Sequence, residues 1–363
     1  MTPRPRVDVV GLFPGTTGGP SVYVHRLSDR LEEEGFEVRR QPAYPPGRKG
    51  LARVSPSLSR FIFHFRYLGG DLIHLNSRNW KLLLGVALIS MVRRKKWIIT
   101  IHGSFRRWPF RHGTGFPSRY VSGLAESMVK RALQTASTVA VVNRELFGVV
   151  AGMGIPPDRI RVTSPFIPPR AVDITNELPG DIARFAEDHE PVLLSFGSIV
   201  RAGDIDVYGV DLMIRALSSV KVSMPSVGLL LLINRIFPGE NEYFRILKRS
   251  IKSRGLDRNV MICEALPTAA PLYPAGSVFL RPTSTDGDAI SVRESLMAGL
   301  PVLASDASPR PRGTLTFKSR DADSFAAALM LALGELPKLK RRLRNPPDSG
   351  WREVLSIYLE LTG

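Results

Sequence analysis

A single cysteine, Cys263, stands in 363 residues, so the chain can form no internal disulfide and no thiolate cluster for a metal. Long apolar runs are missing as well. The longest, Leu82 to Val92, is eleven residues and is interrupted by Gly85 and Ser90. A membrane-spanning helix needs about 20, so this run reads as a buried helix. The short basic start, Met1 to Arg6, leads into a strand-like run, Val7 to Phe13, with none of the apolar core of a secretory signal. These absences together fit a reducing, cytoplasmic compartment. There is no internal repeat and no low-complexity tract. Carboxylates are what the first half has least of. Residues 1–180 carry 27 Lys+Arg against 12 Asp+Glu, whereas residues 181–363 carry 23 against 21. Nearly all of the net charge of +17 therefore sits in the first half. An excess so placed suits an anionic partner: a phosphate-bearing substrate, an anionic lipid surface or nucleic acid.

What is present is a balanced globular composition. The hydrophobic content of 44% is enough for two cores in a chain of this length. Strand-like and helix-like segments alternate from Val7 to Leu361, the pattern of α/β layers with mainly parallel strands. Ser21–Glu34 has Val24, Leu27 and Leu31 on one face and is followed by Gly35, a C-terminal helix stop. The proline-rich Pro165-Phe-Ile-Pro-Pro169 and the polar residues to Glu190 break the periodicity. They predict a first domain over residues 1–170, a linker over 171–190 and a second domain over 191–345. A last helix is predicted within residues 346–363, after the basic cluster Lys338 to Arg344.

The most specific stretch runs from Arg281 through Asp286-Gly287-Asp288-Ala289-Ile290-Ser291-Val-Arg293-Glu294 to Gly299-Leu-Pro301 and Ser305-Asp306. It follows a strand, crosses a loop and enters a helix. Ligands in open α/β sheets sit at the carboxyl ends of strands, and a helix start offers N–H groups and positive potential to a diphosphate. Asp286 and Glu294, eight positions apart, flank that start and can point into one crevice. Two other readings apply to the same residues. Ser291-Val-Arg-Glu294 has the form of a capping box, with Ser291 as N-cap. Asp286-Gly-Asp288 has the form of a metal-binding D-x-D, although its place just before the helix argues against it.

This stretch resembles the E-x7-E motif of the retaining glycosyltransferases of the GT-B fold, group 1 or family 4-like. Asp286 stands at the first acidic position, and Ser295 to Ser305 supplies the motif's tail. The resemblance implies two Rossmann-like domains facing across a cleft, an acceptor on the N-terminal side, and a C-terminal helix crossing back to the first domain. It implies a nucleotide-diphosphate sugar as donor, no cofactor and no metal. Glu294 would bind the donor ribose and Asp286 the transferred sugar, with Gly287 to Ser291 along the sugar and diphosphate. Arg201, Arg281 and Arg293 would supply cations, because Ser198 and Tyr208 stand where the family places an Arg and a Lys. Gly18 and Gly19 resemble the family's glycine-rich first loop, and His102 its histidine near the sugar. Other readings of the same signals are a nucleotide-sugar epimerase, an inactive donor-binding protein and a basic nucleic-acid-binding protein. No nucleic-acid-binding signature supports the last.

Arginines alternate with aromatics in Arg60 to Arg66 and in Phe105-Arg106-Arg107-Trp108-Pro-Phe-Arg111. Such segments can rest on lipid headgroups or stack on nucleic-acid bases, and Arg60 to Arg66 also reads as a core helix with charged ends. Arg106, Arg107, Trp108 and Arg111 are candidates for contact with the acceptor or with an anionic membrane surface. On this reading the enzyme is peripheral on the inner face of the membrane, and the acceptor is a glycan or a lipid-linked molecule.

Overall fold

The computed structural model describes residues 4–13, 19–44, 56–77, 79–102, 119–164, 166–168, 178–264, 266, 269, 271–286, 289–343 and 350–363. Two compact units divide it: unit 1 is Met1–Ile167 with Ser349–Gly363, and unit 2 is Pro168–Asp348.

Unit 1 contains β1 (Arg6–Gly11), α1 (Gly19–Glu33), β2 (Glu37–Pro42), α2 (Pro56–Tyr67), β3 (Leu72–Leu75) and α3 (Trp80–Arg93). It continues with β4 (Lys96–Ile101), α4 (Arg119–Gln134), β5 (Thr138–Val141), α5 (Arg144–Gly152) and β6 (Ile160–Val162). The strands form one parallel sheet in the order β2-β1-β3-β4-β5-β6. Both faces of the central strands are covered, which is why they read as unbroken apolar runs rather than alternating ones. The edge strand β2 has no fully buried residue. It is held by its charges: Arg39 donates to Asp8, and Arg40 to Asp29. Gly35 takes φ +90 after α1, and the Phe36 N–H returns to the Leu31 carbonyl at 3.0 Å, closing the helix in a Schellman arrangement.

The run Leu82 to Val92 forms most of α3, but it is not buried throughout. Leu82, Leu83, Val86 and Ile89 face the core, whereas Leu88, Met91 and Val92 are exposed. A helix lying on a sheet covers only its inner stripe, and α2 shields only part of the rest, through Phe61 against Gly85.

Unit 2 contains α6 (Gly180–Asp188), β7 (Val192–Ile199), a small hairpin of β8 (Arg201–Ala202) and β9 (Ile205–Asp206), α7 (Val210–Ser223), β10 (Gly228–Ile236) and α8 (Asn241–Ser253). Then come β11 (Val260–Glu264), α9 (Leu272–Ala275), β12 (Val278–Arg281), α10 (Ile290–Met297), β13 (Val302–Ser305), β14 (Thr314–Phe317), α11 (Ala322–Gly334) and α12 (Leu336–Arg342). Its main sheet is parallel, in the order β11-β10-β7-β12-β13-β14. Residues 180–188 of the expected linker are therefore a helix. Its Ile182 is buried in the unit 2 core, with Phe185 packed against the same cluster. The polar residues around them mask that stripe in the sequence.

The last helix, α13 (Trp351–Thr362), belongs to unit 1. Trp351 donates to Glu34 at 3.2 Å and lies under the Arg30 guanidinium. Tyr358 packs on Phe36 and hydrogen-bonds His74 inside the unit.

Candidate functional site

In unit 2 the polar residues gather at the carboxyl ends of β7, β12 and β13, where a parallel sheet exposes its loops to ligands. Arg281, the last residue of β12, donates to the Phe196 carbonyl at 3.0 Å and grips both oxygens of Asp286 at 2.9 and 3.1 Å. Arg310 adds a bond to Asp286 at 2.9 Å and also holds the Ser305 carbonyl. The Thr283 hydroxyl completes the set at 3.2 Å. The Asp286 side chain is 9% exposed and Arg310 only 4%. Burial pushes the Asp286 carboxyl up, but Arg281 and Arg310 outweigh it and hold it at about 2. Asp286 is thus a charge-compensated anchor for two guanidinium groups.

The Arg281 guanidinium also stands over the ring of Tyr208, 5.1 Å from its centre. A cation therefore lies beside the residue that occupies the family's lysine position. Tyr208 reaches this place because Gly197 leaves room for it: a Cβ on Gly197 would meet the tyrosine ring at 3.0 Å. Ser198 is nearly buried on β7. Arg201 turns the other way, pairing with Glu240 at 2.8 Å and stacking on Tyr243 at 4.7 Å. Both partners of Arg201 belong to the start of α8.

Glu294 lies one turn into α10 and accepts a 2.5 Å hydrogen bond from the Tyr273 hydroxyl. Tyr273 packs edge-on against Phe196 and tilted against Phe279. The capping box expected from Ser291 and Glu294 does not form. The helix starts at Ile290, with extended Ala289 before it, so Ser291 is already helical and its carbonyl accepts from Ser295. Ala289 and Ile290 are buried, and Arg293 is partly exposed in the same helix. Gly287 and Asp288 lie outside the described residues.

Two residues that matter here gave little sign of themselves in the sequence. Arg310 sits between prolines in the loop after β13, with no motif around it. Asp206, 1% exposed, accepts from the backbone N–H groups of Tyr208, Gly209 and Val210 and from the Tyr243 hydroxyl. It thereby closes the start of α7 with a carboxylate. Asp211 in that helix forms a two-pronged pair with Arg320 at 2.9 and 2.7 Å. Gly209, at φ +67, has no space for a side chain, because a Cβ there would lie 2.2 Å from the Pro282 carbonyl.

In unit 1, His102 follows β4 and Asn76 follows β3, so both lie at the carboxyl edge of the sheet. His102 Nε2 is 3.3 Å from Asn76 Oδ1, and the Tyr23 ring meets the imidazole edge-on at 4.6 Å. Asn76 is buried, and its Nδ2 has no hydrogen-bond partner among the described residues. Gly19 opens α1, whereas Gly18, Arg106, Arg107, Trp108 and Arg111 lie outside the described residues. Among those described, no helix is long and apolar enough to cross a membrane.

Comparison with known proteins sets these geometries in a family. Residues 17–170 match the model described as Glycosyltransferase Family 4, and residues 190–335 match Glycosyl transferases group 1. HepE from Anabaena, solved in complex with UDP, superposes with a TM-score of 0.69 at 15% identity, over 98% of this chain and 100% of its own. Sucrose-phosphate synthase from Thermosynechococcus elongatus gives 0.70 at 16% identity, over 99% of each chain. The catalytic domain of starch synthase IV from Arabidopsis thaliana, bound to ADP and acarbose, gives 0.69 at 13%, over 99% of this chain and 98% of its own. No curated protein matches the chain significantly. The fold is thus α/β with two Rossmann-like domains of the GT-B type.

Proposed function

Since the chain belongs to the group 1 glycosyltransferases, we propose that it moves a hexosyl group from a nucleoside-diphosphate sugar to a glycan or lipid-linked hydroxyl, with retention and without a metal. The observation that carries this reading is the Glu294 carboxylate, held by Tyr273 at the start of α10 beside the carboxyl end of β12. A carboxylate in that position suits a ribose diol, as the resemblance implies. UDP in HepE and ADP in starch synthase IV support a nucleoside diphosphate as the common part of the donor.

The chemistry needs one bond broken and one formed. The bond from the anomeric carbon to the diphosphate oxygen breaks, and the acceptor oxygen bonds the same carbon from the face being vacated. The acceptor proton passes to the departing phosphate oxygen. Cations facing the diphosphate stabilise the charge that develops there, and Arg281 is our candidate for that role. Asp286 acts through it as a positioning residue, because both its oxygens are already bonded. His102, bonded to Asn76 at the carboxyl edge of the unit 1 sheet, is our candidate for contact with the transferred sugar or the acceptor.

Calorimetry with UDP, ADP and GDP, followed by transfer assays with the matching sugars, tests this reading. The expected outcome is binding of one nucleotide, weakened more than tenfold by Glu294→Gln with an unchanged melting temperature, and transfer that continues in excess chelator. Binding of no nucleotide, or full transfer by Glu294→Gln, would remove the assignment.

A further inference from the structure

A pocket of about 60 Å³ opens between α2 and α3 in unit 1. Because α3 begins just after β3 ends, its first turn stands at the same sheet edge as Asn76 and His102. Ser57, Arg60 and His64 line the pocket from α2, and Asn79 and Lys81 from the start of α3; Phe61, Leu82, Gly85 and Ile89 make the rest of the lining apolar.

The lining is one-sided in charge. Arg60 rests on the ring of Tyr44 at 4.8 Å, and Lys81 lies 5.6 Å from the Trp80 ring centre; among the described residues no carboxylate lines the pocket. The surrounding sequence is as lopsided. Residues 38–125 contain 17 Lys+Arg and a single carboxylate, Asp71. Asp71 is engaged elsewhere, with the Arg6 N–H and Lys95. His64 is 1% exposed, and among the described residues the Ala43 main chain is the one group facing its ring nitrogens, at less than full hydrogen-bond geometry. A buried polar group left in that state is costly. Asn79 uses its oxygen to cap the Lys81 and Leu82 N–H groups at 3.0 and 3.2 Å. Among the described residues its Nδ2 reaches only the Tyr44 hydroxyl, at 3.5 Å.

We infer that this pocket binds the phosphate of a phosphate-bearing acceptor. Arg60 and Lys81 supply the charge and the Asn79 amide a neutral hydrogen-bond donor, with the His64 ring in the same lining. That the phosphate belongs to an acceptor rests on the transferase reading; that the pocket takes a phosphate does not. Burial, opposed by the Ala43 main chain and aided by the Arg60 charge, holds His64 low, at about 4. At neutral pH its ring therefore carries one N–H and one lone pair.

The test uses the full chain with ¹⁵N-labelled histidine, titrated with inorganic phosphate against chloride at matched ionic strength. The His64 ring signal is expected to shift saturably. Arg60→Gln with Lys81→Gln should weaken the apparent affinity about tenfold or more, since two charge-assisted contacts are lost. UDP affinity in the same samples reports separately on unit 2, so the failure of one reading does not mimic the failure of the other. Two further arms separate the phosphate's sources. Competition by glycerol 3-phosphate, without retention on vesicles, identifies a soluble phosphate ester. Co-sedimentation with phosphatidic acid in phosphatidylcholine vesicles, absent with pure phosphatidylcholine and lost in the double variant, identifies a lipid headgroup. No His64 shift at tens of millimolar phosphate overturns the inference without reference to any variant, as does equal affinity in a folded double variant.

Discussion

At the scale of single residues, Asp286 changes the expectation most, because two guanidinium groups and a threonine hydroxyl take up the carboxylate that the resemblance assigns to the transferred sugar. Removing that charge leaves two buried cations facing each other. Asp286→Asn should therefore cost about 3–5 kcal/mol at pH 7, the usual penalty for breaking a buried pair. The cost depends on pH in a definite direction. The folded carboxyl sits at about 2, below its ordinary 3.8, so its contribution is complete above that ordinary value and is lost as pH falls toward the folded one. Urea unfolding of both proteins between pH 3 and 7 should show a constant gap down to about pH 5 and a narrowing gap below it. A gap that stays constant to pH 3 would mean the carboxylate is not held as described. The place of Glu294 in a helix after a strand and a loop was legible in the sequence, and its assigned role came from the resemblance to the E-x7-E motif. Arg310 was not, because a lone arginine between prolines looks like any solvated loop.

At the scale of elements, the contact of β3 with α13 carries its own pH response. His74 bonds Thr100 at 2.7 Å on one side and Tyr358 on the other. Burial, with the nearby His102, holds its pKa down at about 3, against an ordinary 6.5. The unfolded chain takes up this proton near pH 6.5 and the folded chain does not until about pH 3. Stability therefore falls as pH drops through that window, by up to about 1.4 kcal/mol per pH unit for one group. The slope of unfolding free energy between pH 7 and 4 should be visibly flatter in His74→Gln than in the wild type; equal slopes would exclude His74 as the source. The sequence announced the central strands plainly. Val192–Leu194 of β7 and Leu229–Ile233 of β10 read as apolar runs because helices cover both their faces. It hid β2, whose residues at the sheet edge are satisfied by ion pairs rather than burial. It also hid α6, where a single fully buried isoleucine anchors nine residues that otherwise read as polar linker.

At the scale of the molecule, unit 1 is assembled from two separate lengths of chain, with all of unit 2 between them. Trp351, Val354, Ile357 and Tyr358 of α13 are buried, each worth about 1.5–3 kcal/mol as an apolar side chain taken from water. Truncation after Asp348 should therefore loosen unit 1 selectively. Limited proteolysis is expected to cut residues 1–167 many times faster than in the full chain and to leave unit 2 intact. Equal resistance of both units would show that α13 is dispensable. The arrangement also bears on how the protein is made. Synthesis runs from the first residue onward, so the five central and edge strands that follow β1 exist long before the helix that covers His74 and Phe36. Throughout the translation of unit 2, the earlier part of the chain must wait with those groups uncovered, and its last closing step comes only when the final helix arrives.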